Sequence, residues 1–219
     1  MSVLIGVSAS VNARFSAFTE CLANLHKPPM SETMIATGID IGANRNAIVR
    51  RALSERFSHV WFVDDDMTFG PEHLMLMTTH DRPVVASLYL NRKPPHYAMA
   101  FNDSAVVEGI RVWRPVSLGG APETGLADVI AAGTGGMLVN TDVFRAIEYD
   151  TWFDHHQSTD DLAFCQRVID AGFPIYLDLR AVMGHISTYE IWPLYQQQQG
   201  WSGDVRISDN CSFKVRLGD

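Results

Sequence analysis

The 219-residue chain is poor in cysteine. Cys21, Cys165 and Cys211 are odd in number and share no C-x-x-C spacing, which argues against a disulfide framework or a zinc–thiolate site and suits a reducing, cytoplasmic setting. Long apolar runs are missing too: no stretch approaches the about 18 residues that a spanning helix needs, so no membrane association is expected. The N-terminal Met1-Ser2-Val3-Leu4-Ile5-Gly6 has no basic region ahead of its apolar residues and reads as a first strand, not a signal peptide. Positive charge is in deficit, with a formal net charge of −8, which disfavours a generic basic nucleic-acid binder while leaving room for a local basic groove. Glycine (16) and proline (10) are at ordinary levels, excluding collagen-like or low-complexity chains. A hydrophobic content of 47% supplies a core without metal or disulfide staples.

Strand and helix signals alternate along the chain. Val3 to Ser8, Val60 to Val63, Pro83 to Leu90 and Ile175 to Leu179 are short apolar runs of the kind buried in parallel sheets. Asn44 to Phe57 places Ile48, Ala52, Leu53 and Phe57 on one face, predicting an amphipathic helix capped by Asn44. Gly70-Pro71-Glu72 opens another helix. Val106 to Trp113 alternates around Gly109 as a hairpin, and Val129 to Ala132 and Met137 to Val139 flank Gly133-Thr134-Gly135-Gly136. Thr141-Asp142 starts a short helix. Ser158 or Thr159 caps a longer one that ends at Gly172 before Pro174. After Tyr189 the pattern becomes irregular. The expectation is one α/β domain over residues 1–190, with a tail over 191–219 that either packs on the surface or folds over the site as a lid.

Three groups of residues carry possible chemistry. Asp64-Asp65-Asp66 follows an apolar strand directly, where open α/β sheets bind ligands, and a divalent cation would relieve the repulsion among the carboxylates. Thr159-Asp160-Asp161 heads a helix; acids there complement the helix dipole, or one of them serves as a general base. His185, just past the last strand, is either an ordinary packed histidine or a ligand. The Gly133–Gly136 run permits close backbone approach, and Arg92-Lys93 is either a basic rim for phosphates or a solvated loop.

In this order, these segments resemble GT-A-fold glycosyltransferases, especially glycosyltransferase family 2 and its compact phage-encoded members. HVWFVDDDMTFGPEHL (His59 to Leu74) is similar to the family's strand, D-x-D motif and following helix. AAGTGGMLVNTDVFRAI (Ala131 to Ile147) is similar to its acceptor-side glycine segment. TDDLAFCQRVIDAGFPIYLDLRAVMGHI (Thr159 to Ile186) resembles its acidic helix, its turn and strand, and its terminal histidine. NRNAIV (Asn44 to Val49) resembles the helix that faces the donor nucleotide. Asp160 stands where many relatives have Glu, and Ala163 where another Asp is common.

The resemblance implies a Rossmann-like nucleotide-binding domain with a central mixed, mostly parallel sheet flanked by helices. It implies a single-sugar transferase, not a processive synthase. The donor, a nucleoside-diphosphate sugar, would lie near Ser8, Ala9, Arg45, Asp64 and Asp65. Asp66 and His185 would hold Mn²⁺ (or Mg²⁺), Asp161 beside Asp160 would be the base of an inverting reaction, and Gly135, Gly136 and Trp152 would lie on the acceptor side. Hydroxymethylated DNA bases are one acceptor that phage relatives of this size suggest, with Arg92, Lys93, Arg111, Arg114 and Arg180 as a positive groove in the host cytoplasm. No obligatory protein partner is implied. A metal-dependent nucleotidyltransferase and a non-catalytic nucleotide-sugar or glycan-binding module are the competing readings.

Overall fold

Apolar runs flanked by small or acidic residues place the central strands. In the computed structural model, which describes residues 1–9, 15–108, 110–147, 151–154, 159–187, 189–208 and 211–217, the first half of the chain forms β1 (Ser2–Ala9), α1 (Ser16–Asn24), β2 (Met30–Thr37), α2 (Ile41–Ser54), β3 (His59–Asp64), β4 (Met67–Thr68), α3 (His73–Thr78) and β5 (Val84–Leu88). Next come β6 (Ala100–Val107), β7 (Ile110–Pro115), β8 (Leu126–Val129), β9 (Ala131–Ala132), β10 (Gly136–Asn140) and α4 (Thr141–Ala146). The chain ends with α5 (Asp160–Asp170), β11 (Ile175–Val182), β12 (Gly184–Ile186), β13 (Glu190–Gln196), β14 (Gly200–Ser208) and β15 (Cys211–Val215). Gly109 and Ser158, the expected hairpin turn and alternative helix cap, lie outside the described residues.

Among the described residues, a seven-stranded mixed sheet runs in the order β2-β1-β3-β10-β5-β11-β8. β1 pairs in parallel with β2 and β3, and β5 with β11, while β10 runs antiparallel between β3 and β5. Leu4, Phe62, Val84 and Leu177 face one apolar cluster with α2, α4 and α5; Ile5, Trp61, Val63 and Val85 face a second with α1 and α3. Burial on both faces is what made β1 and β3 continuous apolar runs. Close packing of α2 on β1 depends on Gly6, where a Cβ would sit 2.4 Å from Ile48 Cγ2.

Two expectations are corrected. α2 begins at Ile41, and its N-cap is Asp40, whose Oδ1 accepts from the Ala43 N–H at 2.9 Å. Asn44 lies inside the helix and is buried; its amide donates to the carbonyls of Ala9 and Gly38, each at 3.2 Å, so a tertiary partner replaces the capping role. The segment after Tyr189 is regular, not irregular: β13, β14 and β15 build a five-stranded sheet in the order β15-β14-β13-β12-β4. Its inward residues alternate, with Ile191 against Val205 and Pro193 against Gly203. The two-residue β4 is the joint, since Asp64 ends a strand of the large sheet while Met67 and Thr68 pair with His185 and Gly184 of the smaller one.

Candidate active site

The C-terminal ends of β1 and β3 lie side by side, with Ser8 in register with Asp64. The N-terminus of α5 faces them from across α2. Close approach of α5 to α2 rests on Gly42, where a Cβ would meet the Phe153 carbonyl at 3.3 Å and the Asp160 Cβ at 3.5 Å. Between these elements opens a cleft of about 410 Å³. Ser8, Arg45, Asp64, Asp65, Asp66, Arg92, Thr159, Asp160 and Asp161 all line it, so nine of the residues singled out from sequence share one cleft.

Arg45 sits at the centre, 4% exposed. Its Nη2 donates to Asp64 Oδ1 at 2.8 Å and Oδ2 at 3.1 Å, and its Nη1 donates to Asp160. One guanidinium thus ties the β3 carboxylate to the first acid of α5, which lies 115 residues from Arg45 in the chain. Burial alone would lower the Arg45 pKa, but Asp64, Asp160 and Asp161 more than offset it and hold the guanidinium charged. Burial raises the Asp64 carboxyl above the ordinary carboxylate range, and Arg45 counteracts this only in part. The guanidinium expected at the donor is therefore also the structural clamp of the acids.

Asp161 is held through one oxygen: Oδ1 accepts from the Thr159 hydroxyl and from the Leu162 N–H, the latter at 2.8 Å. Its Oδ2 points towards Gly133, where it lies 3.6 Å from the position a Cβ would take. Burial raises the pKa of this carboxyl as well, against the opposing pull of Arg45. Ser8 Oγ is buried at the cleft with no hydrogen-bond partner among the described residues.

His185 is brought to Asp66 by strand pairing. β12 aligns His185 with Met67, and the Ile186 N–H donates to the Asp66 carbonyl at 2.7 Å. The His185 Nδ1–H donates to the Leu90 carbonyl at 2.8 Å, which turns Nε2 towards Asp66 Oδ2 at 3.5 Å. Arg92 Nη1 reaches the same oxygen at 2.8 Å. Burial pushes the Asp66 carboxyl up, yet His185 and Arg92 outweigh it and bring it below the ordinary range. Among the described residues, no three His, Cys, Asp or Glu side chains converge as a closed metal cage. Asp66 Oδ2 and His185 Nε2 nonetheless set a carboxylate oxygen beside an imidazole nitrogen, two atom types that divalent ions accept as ligands.

The remaining expected residues lie elsewhere. Ala9 is buried, its carbonyl accepting from Asn44 and Gly38. Gly136 belongs to β10 and makes room for Met183 and Ser87, with 2.2 Å from a Cβ to Met183 Sδ. Trp152 packs edge-on to Phe144 in the core and donates its indole N–H to the Phe144 carbonyl at 2.9 Å. Of the basic residues, Arg92 is paired with Asp66, Arg114 with Asp103 and Arg180 with Asp178, while Arg111 stacks on Trp113.

One residue was missed. Tyr89, at the end of the third predicted strand, is 4% exposed, accepts from the Gly135 N–H at 3.2 Å and meets the His185 ring edge-on at 5.5 Å. A Cβ on Gly133 would lie 2.0 Å from its hydroxyl, and one on Gly135 3.1 Å from it. Gly133 and Gly135 thus leave room for this ring, with Asp161 beside the first and Asp64 beside the second. Burial raises the Tyr89 phenol well above its ordinary pKa, with the two carboxylates adding to the effect, so it stays protonated.

No protein-family model matches the sequence, and no curated protein matches it. Solved structures do match in shape. A197 from STIV superposes with a TM-score of 0.64 at 12% identity, over 100% of this chain and 99% of that one. The fold is GT-A-like. GalNAc-T7, crystallised with UDP, GalNAc and Mn²⁺, matches 85% of this chain at a TM-score of 0.56 and 10% identity. S. aureus TarS 1–349 in complex with UDP matches 81% at 0.51 and 14%. This chain spans 44% of the GalNAc-T7 chain and 57% of the TarS chain.

Proposed function

We propose that this protein is a divalent-metal-dependent glycosyltransferase that moves one sugar from a nucleoside-diphosphate sugar to an acceptor hydroxyl. The observation that carries the reading is the meeting, in one cleft at the ends of β1 and β3, of two separate acid groups with different environments. Asp66 is kept ionised beside His185, and Asp161 is raised in pKa by burial. The GT-A-like fold, and the UDP and Mn²⁺ held by GalNAc-T7, support the donor class.

Asp66 and His185 Nε2 would hold Mn²⁺, which an imidazole ligand suits better than Mg²⁺. When bound there, the ion would supply charge neutralisation for a diphosphate leaving group. Asp64 and Ser8 face the nucleoside end, Ser8 with a hydroxyl that has no partner to lose among the described residues. Asp161 Oδ2 accepts the proton of the acceptor hydroxyl while that oxygen attacks the anomeric carbon from the face opposite the diphosphate, inverting its configuration. The raised pKa of Asp161 brings its basicity closer to neutrality, where a general base works best. Asp160 serves the base indirectly by holding Arg45.

The deciding experiment incubates the protein with Mn²⁺, a panel of nucleotide sugars and hydroxylic acceptors, hydroxymethylated DNA among them, and identifies the released nucleotide. Nucleoside diphosphate released only with metal supports the reading. Release of pyrophosphate would instead mark a nucleotidyltransferase. Tight donor binding with no product from any acceptor would favour a binding module.

A further inference from the structure

Among the described residues two arginines reach the acids of the cleft, and they are held very differently. Arg45 is buried and locked between Asp64 and Asp160. Arg92 has a side chain 47% exposed, and its Nη1 lies 2.8 Å from Asp66 Oδ2. His185 Nε2 faces that same oxygen at 3.5 Å. Guanidinium and imidazole therefore converge on one carboxylate oxygen, the one through which Asp66 and His185 would share an ion.

The backbone beneath Arg92 is fixed. Its carbonyl accepts from the Tyr189 hydroxyl at 3.0 Å. The neighbouring Asn91 accepts from the Tyr97 N–H at 2.8 Å and donates to the Lys93 carbonyl at 2.7 Å. Leu90, one residue further back, is the anchor of His185. A long, half-exposed side chain on a pinned backbone can swing its head group by rotamer changes alone, without moving the loop or His185.

We infer that Arg92 is a placeholder cation: it neutralises Asp66, yields that oxygen to a divalent ion, and then engages the diphosphate of the donor. The inference rests on the metal-dependent reading above. Two positive charges do not share one carboxylate oxygen at 2.8 Å without strong repulsion, so ion binding releases the guanidinium. A diphosphate brought into the same cleft is then its nearest anion, and the planar fork of an arginine matches phosphate oxygens in pairs. Arg92 is thus a positioning residue that makes metal and donor binding interdependent.

The test measures two affinities by calorimetry on the full chain: Mn²⁺ alone, and the tightest binder among UDP, GDP, ADP and CDP at saturating Mn²⁺. Arg92→Ala should bind Mn²⁺ alone about 2- to 5-fold more tightly, the scale of losing a half-exposed competing ion pair. The same variant should bind the nucleotide about 10-fold more weakly, as expected for loss of a charge-assisted contact. Arg92→Lys should recover part of the nucleotide affinity. These opposite signs are what a merely structural role would not produce. If both affinities fall together with the melting temperature, or neither changes, the placeholder role is overturned; Mn²⁺ binding that is lost in Asp66→Ala but indifferent to Arg92 overturns it while leaving the metal reading standing. No Mn²⁺ binding by wild type or any variant overturns both.

Discussion

Arg45 Nη2 lies 2.8 Å from Asp64 Oδ1 inside the protein, and the other end of the same guanidinium holds Asp160. The resemblance alone places Arg45 beside the donor. The geometry gives it a second task, because removing it leaves two acids in a low-dielectric site without their counter-ion. Arg45→Ala should destabilise the protein by about 3–5 kcal/mol. Urea denaturation measures this, and an unchanged midpoint would show that the clamp is dispensable.

The metal assignment predicts a shared phenotype for two residues 119 positions apart. Asp66→Ala and His185→Ala should each abolish the extra thermal stabilisation that Mn²⁺ adds to nucleoside-diphosphate binding. Equal stabilisation of the wild type in EDTA and in Mn²⁺ would remove both from the ion.

Asp161→Asn should lower the transfer rate by about 10² to 10⁴ with donor affinity retained. Because the folded-state pKa of Asp161 is raised, the rate should fall with decreasing pH at higher pH than a free carboxylate near 3.8 would give. For stability the sign is opposite to that of a salt-bridged acid. The folded protein binds the proton more tightly than the unfolded chain, so this group's contribution declines as pH rises from 3.8 through the folded pKa. Asp161→Asn should then melt at or above wild type at pH 7, with the gap closing in acid. A wild-type transfer rate in Asp161→Asn excludes it as the base.

Gly133→Ala places a methyl group 2.0 Å from the Tyr89 hydroxyl and should destabilise by about 1–3 kcal/mol. Adding Tyr89→Phe removes the clashing oxygen, leaving the ring carbon 3.1 Å away, so the double variant should be more stable than the sum of the single effects. Additive losses in a double-mutant cycle would mean that the glycine serves the backbone, not the ring.

The central strands were legible because burial on both faces writes itself as unbroken apolar sequence, as in Val60-Trp61-Phe62-Val63. β2 was not: it is an edge strand with Ala36 alone buried, so Met30 to Thr37 carries no pattern to read. The C-terminal sheet hid behind Pro193 and a run of glutamines. Pro193 is tolerated because β12 pairs only with Glu190 and Ile191, so no neighbour on that side needs its missing N–H. Within the site, the acids announced themselves by position after a strand and at a helix start. Tyr89 and the Arg45 clamp did not, since their meaning lies in contacts spanning 46 to 115 residues that only the topology creates.

The acid run crosses from one sheet to the other within three residues. Asp64 moves with β3, whereas Asp66 is carried by the joint at β4, whose partner strand also bears His185. The cleft is therefore assembled like a vice: one jaw, with Arg45, Asp64 and Asp161, belongs to the helix-covered sheet, and the other, with Asp66, His185 and Arg92, is braced by the C-terminal strands. The width between the jaws is thus set at a single seam, where Met67 and Thr68 hold the smaller sheet to the end of β3.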